Sequence, residues 1–136
     1  MSYYYSTTVD GAFADVIATV TDSLKTEGFG VLTEIDVRAT MKKKLDIDFR
    51  PYVILGACNP PFAYKALSVE DKIGVMLPCN VIVQELSPGR IEVSAVDPVA
   101  SMQAVGSDDL ESIAGEVAAK LRRAIDIVGT APGGHE

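Results

Sequence analysis

The chain has 136 residues and a net charge of −7, with 48% apolar and 23% charged residues. This length predicts one domain whose core needs no disulfide or metal to hold it together. The acidic balance argues against a surface for phosphate backbones or anionic lipids, so we expect neither a nucleic-acid nor a membrane partner. Two cysteines and one histidine are too few for a tetrahedral zinc site without carboxylates, and we predict no metal and no cofactor.

No run approaches the roughly 18 apolar residues of a membrane-spanning helix. The N-terminal residues, MSYYYSTTVDG, have neither the basic region nor the apolar stretch of a secretory signal. We therefore expect a cytoplasmic protein. In that reducing compartment the two cysteines are expected to be thiols rather than a permanent disulfide.

Five strands are predicted from β-branched and aromatic residues bounded by turn residues. They cover residues 2–9, 29–37, 52–57, 79–86 and 91–96. In the second strand, alternation places Val31 and Thr33 on one face and Leu32 on the other. The third strand is apolar throughout, which predicts a central strand buried on both faces.

Helices are predicted from apolar residues at helical spacing. They cover residues 11–27, 38–45, 62–67 and 108–128. Asp10 would cap the first helix, and Gly28 would end it in a left-handed conformation. Ser107 would cap the last helix, and Gly129 would end it.

These elements predict an α+β fold. We expect a two-layer sandwich, with a largely antiparallel sheet of about five strands and the two long amphipathic helices on one face. Residues 1–128 would form a single domain, and residues 129–136 a disordered tail that contains His135.

The candidate chemistry lies within residues 56–83, where each of the two cysteines is followed by asparagine. Cys58 would end a strand just before a helix N-terminus, where the helix dipole favours a thiolate. Cys79 would begin the fourth strand. Both are candidate catalytic residues. The alternative interpretation is that both are small buried residues of the core. A reversible disulfide between them requires Cα atoms about 4.4–6.8 Å apart.

Five further residues of this stretch are candidates for ligand binding. They are Asn59, Pro60, Lys65, Pro78 and Asn80. The two asparagines can orient a ligand carbonyl or phosphate, or act only as turn and helix-cap residues. The chain has no phosphate-binding loop, no dinucleotide fingerprint and no nucleophile elbow, which excludes several enzyme classes.

Two segments, Gly56-Ala57-Cys58-Asn59-Pro60 and Leu77-Pro78-Cys79-Asn80-Val81, resemble the DUF302 family. The flanking Gly28-Phe29-Gly30-Val31 and Asp97-Pro98 agree with it, and the resemblance covers about residues 2–128. It implies a small α+β domain of bacteria or archaea that often occurs alone and forms a homodimer. The family has no assigned biochemical function, so the resemblance supports the fold and leaves the function open.

Three functions remain open. The first is a homodimeric domain that binds a small molecule in a pocket beside Cys58-Asn59 and Cys79-Asn80. The second is thiol-dependent redox or sulfur-transfer chemistry, with Cys58 as nucleophile and Cys79 as resolving partner. The third is a structural or interaction module, in which this region serves as a dimer contact. Separately, the second face of the sheet needs cover, and its tyrosines and aliphatic residues could form a dimer interface.

Overall fold

The computed structural model describes residues 2–130 and has the predicted α+β architecture. The strands are β1 (Tyr4–Asp10), β2 (Gly30–Asp36), β3 (Tyr52–Cys58), β4 (Cys79–Ser87) and β5 (Arg90–Val96). The helices are α1 (Phe13–Thr26), α2 (Val37–Leu45), α3 (Pro60–Val69), α4 (Pro98–Met102) and α5 (Asp108–Thr130). Two short 3₁₀ helices, Ile73–Met76 and Gln103–Val105, precede β4 and α5.

The five strands form one sheet in the order β1-β5-β4-β3-β2, and every neighbouring pair is antiparallel. The predicted hairpin is the β4–β5 pair, which lies at the centre of the sheet. The middle strand is β4. The prediction that β3 is a central strand is confirmed in that it is an internal strand with a neighbour on each side.

Helices α1 and α5 pack against one face of the sheet and against each other. Their apolar stripes, represented by Leu24 and Leu121, meet core residues such as Leu55 of the sheet. Burial of a side chain of this size contributes about 1.5–3 kcal/mol. Between the two helices, the buried Ser23 hydroxyl donates a 2.6 Å hydrogen bond to the carbonyl of Ala124.

Two predicted helix boundaries are wrong. Asp10 does not cap α1, because the N-cap position is Ala12, and the Asp10 carboxylate instead pairs with Arg90 at 3.3 Å. Gly129 does not end α5, because the helix continues to Thr130. A Cβ on Gly129 would lie 2.8 Å from Thr7 Oγ1, so this glycine allows the helix to approach β1 closely.

Other helix boundaries are confirmed. Gly28 ends α1 with a φ of 87°, as expected for the residue that follows a helix. The Ser107 hydroxyl accepts a 3.3 Å hydrogen bond from the Leu110 amide and so caps α5. The rest of the predicted tail, with His135, lies outside the described residues.

The alternation of β2 is interrupted by a bulge. Val31 pairs with Ala57 and Thr33 pairs with Gly56, so Leu32 is the extra residue. Consecutive residues of β3 face opposite sides of the sheet. Val31 and Thr33 therefore do not share a face, contrary to the prediction, and the Leu32 side chain is 67% exposed.

Candidate functional site

The two cysteine-asparagine segments lie side by side in the sheet. Strand β3 ends at Cys58, and α3 begins directly after Asn59. Strand β4 begins at Cys79, after a cis peptide bond between Leu77 and Pro78. Because Cys79 pairs with Ala57 in the antiparallel register, segments that are twenty residues apart in the chain meet at one edge of the fold.

A cavity of about 290 Å³ adjoins these strand ends. Its walls come from β2, β3, β4, α3, α4, α5 and the 3₁₀ helix before β4, and the bulge residue Leu32 is among the lining residues. Among the described residues that line it, Asn59 alone has a side-chain nitrogen or oxygen atom, and the other side chains are apolar or carry sulfur. The volume lies near the lower end of small-molecule sites, which measure about 300–1,000 Å³.

Small side chains on facing helices leave this space. Ala63 and Ala66 of α3 and Ala114 of α5 all line the cavity. Ala66 and Ala114 belong to a second cluster of buried residues, separate from the main core, that also includes Met102. Protein interiors are otherwise closely packed, so larger side chains at these positions would fill the cavity.

Asn59 joins the start of α3 to the end of α1. It is 8% exposed, and its side-chain Nδ2 donates a 3.1 Å hydrogen bond to the carbonyl of Glu27. It occupies the N-cap position of α3, but its side chain makes no capping hydrogen bond. The expected capping role is therefore wrong, and the residue holds two helices together at the cavity wall.

Both cysteines line the cavity and both are free thiols. Burial, with a smaller contribution from the nearby charge of Cys58, raises the pKa of the Cys79 thiol to about 11. At pH 7 only about one Cys79 in ten thousand is then a thiolate. The residue opposite Cys79 is Ala57, so Cys58, at the end of β3, is one position away from the directly paired residue.

The candidate ligand-binding residues divide into two groups. Asn59 and Pro78 line the cavity, whereas Pro60, Lys65 and Asn80 do not. Asn80 is exposed on the other face of the sheet, opposite Gly56 of β3. The same alternation that places Cys79 at the cavity turns its neighbour Asn80 away from it.

Lys65 lies close to the cavity without lining it. Its Nζ is 5.3 Å from the centroid of the Phe62 ring, and Phe62 is a lining residue. Lys120 of α5, which the sequence reasoning missed, has its Nζ 5.9 Å from the same ring centroid. Helical spacing relates Lys120 to the cavity, because it follows the lining residue Val117 by three positions and therefore lies on the same face of the helix.

Within residues 2–130 no group of three or more histidine, cysteine, aspartate or glutamate side chains is placed to hold a metal ion. In the same part of the chain, no helix combines the length and the apolar content needed to cross a membrane.

The model of a domain of unknown function, DUF302, matches residues 5–128. The chain belongs to the DUF302 family. The crystal structure of an uncharacterized conserved protein DUF302 from Bacillus stearothermophilus is similar to it, with a TM-score of 0.85 and 29% sequence identity. That similarity covers 93% of this chain and 98% of the Bacillus chain. No curated protein matches the chain. The DUF302 resemblance is thus confirmed, and the function must be argued from the site.

Proposed function

We propose that this DUF302 domain binds a small, largely apolar molecule in the cavity beside Cys58-Asn59 and Cys79. The observation that carries the proposal is the cavity of about 290 Å³ with an almost wholly apolar lining. The cavity is open to solvent on one side, so its apolar lining is in contact with water when no ligand is bound. A bound apolar molecule would restore the missing packing contacts and bury its own surface.

Calorimetric titration with neutral apolar probes tests this proposal. The probes are octan-1-ol, butylbenzene and indole, and the test variant is Ala114→Leu. Ala114 lines the cavity and is 3% exposed, so leucine would occupy the ligand's space. Ala119→Leu is the matched control, because Ala119 is exposed on the same helix.

Wild type and Ala119→Leu should bind at least one probe with the same dissociation constant. In Ala114→Leu the affinity should fall at least tenfold. If no probe binds the wild type, or if both variants bind equally well, the cavity is not a ligand site.

Thiol-dependent redox or sulfur-transfer chemistry is the second candidate function. The observation in its favour is that both thiols line the same cavity. The raised pKa of Cys79 weighs against this residue as a thiolate partner at neutral pH. In this candidate function Cys58 is the nucleophile, and a substrate would enter through the same cavity.

We further propose that the protein is a homodimer that pairs through the sheet face opposite α1 and α5. The register places Ile35, Ile54 and Ile82 in one row across three strands of that face. Ile35 is 49% exposed, and Tyr4, on the same face of the sheet, is 47% exposed. A contiguous apolar row of this kind is typical of a subunit interface.

Light scattering coupled to size-exclusion chromatography tests the homodimer. Wild type should elute with twice the mass of the chain, and Ile35→Lys should elute as a monomer. Val75→Lys is the control, since Val75 is 86% exposed and lies before β4, away from this row. A wild-type monomer, or a dimer that survives Ile35→Lys, would contradict the interface.

A further inference from the structure

Two lysines approach the same wall of the cavity. The ammonium groups of Lys65 on α3 and Lys120 on α5 lie 5.3 and 5.9 Å from the centroid of the Phe62 ring. The ring of Phe62 is part of the cavity lining. Two elements of the fold therefore bring positive charge to the same aromatic ring beside an otherwise apolar space.

These charges have no counter-ion within the described part of the protein. The ion pairs of residues 2–130 include neither Lys65 nor Lys120. Glu116 lies one helical turn before Lys120, yet the two side chains do not form an ion pair. Two like charges near one ring repel each other, and an anion between them would be attracted by both.

We propose that the ligand is an amphiphilic carboxylate. Its apolar chain or ring would fill the cavity, and its carboxylate would lie beside Phe62, within reach of Lys65 and Lys120. The inference rests on the proposed function, because it assigns a chemical class to the ligand of that same cavity.

A phosphate fits this site less well than a carboxylate. Phosphate sites usually combine backbone N–H donors at a helix N-terminus with the planar donor fork of arginine. Helix α3 begins with Pro60 and Pro61, which lack an N–H. Among residues 2–130 no arginine lines the cavity, and Arg123 of α5 is paired with Glu27 at 3.1 Å. The two lysines alone are suited to a singly charged carboxylate.

Paired titrations with octanoate and octan-1-ol at low ionic strength test the inference. The two probes share a chain length and differ in charge, so their affinity ratio measures the contribution of the anion. The test variant is the double substitution Lys65→Gln and Lys120→Gln, which keeps the length of both side chains. Lys43→Gln is the control, because Lys43 is exposed on α2, a helix with no buried residue.

Wild type and Lys43→Gln should bind octanoate about tenfold or more tightly than octan-1-ol. In the double variant the octanoate affinity should fall to that of octan-1-ol, while the octan-1-ol affinity stays unchanged. Added salt should reduce the ratio of octanoate affinity to octan-1-ol affinity in the wild type, because salt screens charges that lie near the surface.

Three outcomes would overturn the inference. If octan-1-ol binds the wild type as tightly as octanoate, or if the double variant keeps the preference, the lysines do not select an anion. Apolar binding in the cavity would still stand in either case. If neither probe nor any neutral apolar probe binds, the proposed function fails and the carboxylate inference fails with it.

Discussion

Position 56 requires a glycine, because side-chain atoms of Thr33 and Pro78 occupy the space where a Cβ would lie. A Cβ at this position would clash with Thr33 Oγ1 and lie 2.9 Å from Pro78 Cγ. The threonine can rotate, but the proline ring is held in its own segment. Gly56 therefore allows β2 and the segment before β4 to approach β3 closely, next to the cavity.

The first prediction concerns this contact. Gly56→Ala should lower the free energy of unfolding by about 2 kcal/mol, in the range of over-packed core positions. Gly74→Ala is the control, since a Cβ on Gly74 has no neighbour within 4 Å. Urea denaturation of both variants measures the difference. Equal stability of the two variants would show that the structure absorbs the added methyl group at Gly56.

Cys79 should react as a protected thiol. With its pKa raised to about 11 by burial, the thiolate fraction should rise roughly tenfold per pH unit up to that value. The alkylation rate of Cys79, followed by peptide mass spectrometry from pH 7 to 10, should therefore climb without a plateau. After denaturation the rate should level off near the ordinary cysteine pKa of about 8.5. A plateau below pH 9 in the folded protein would contradict the protected state and favour thiol chemistry.

Helix α5 connects the main core to the cavity. Its residues Leu121 and Ile125 belong to the main core, whereas Leu110 and Ala114 belong to the cavity-side cluster. The N-terminal half of the helix, which carries the lining residues from Leu110 to Val117, is therefore the part that shapes the cavity. Its first turn is stabilised by the Ser107 hydroxyl and by carboxylates that suit the helix dipole.

Ser107→Ala should lower the free energy of unfolding by about 1 kcal/mol, because the Leu110 amide loses its capping partner. Ser112→Ala is the matched control, since Ser112 is exposed on the same helix and should change stability by less than about 0.5 kcal/mol. Thermal unfolding of both variants gives the comparison. If Ser107→Ala is as stable as Ser112→Ala, the cap does not hold the turn.

At the scale of the whole molecule, much of the fold could be predicted from local patterns. Apolar spacing placed both long helices, and turn residues placed the β4–β5 hairpin. The meeting of the two cysteine-asparagine segments follows from the pairing of β3 with β4. Periodicity carries no information about an inserted residue, so the bulge at Leu32 could not be predicted.

The cavity could not be predicted because it depends on contacts between distant parts of the chain. Ala66 of α3 faces Ala114 of α5 across 48 positions of sequence, and neither residue is distinctive alone. The tie between Asn59 and the carbonyl of Glu27 is a long-range contact of the same kind. Lys120 was missed because a lysine on an amphipathic helix is usually only solvated, and its position beside Phe62 requires the packed structure.

Methyl NMR during titration with octan-1-ol shows whether the cavity holds a small apolar ligand. We expect saturable shifts of the Met102 and Ile113 methyl signals, because both residues line the cavity. The Ile35, Ile54 and Ile82 methyl signals should stay unchanged, because these residues lie on the opposite face of the sheet. Shifts confined to that opposite face, or no saturable shift at any methyl group, would show that the cavity does not bind an apolar ligand.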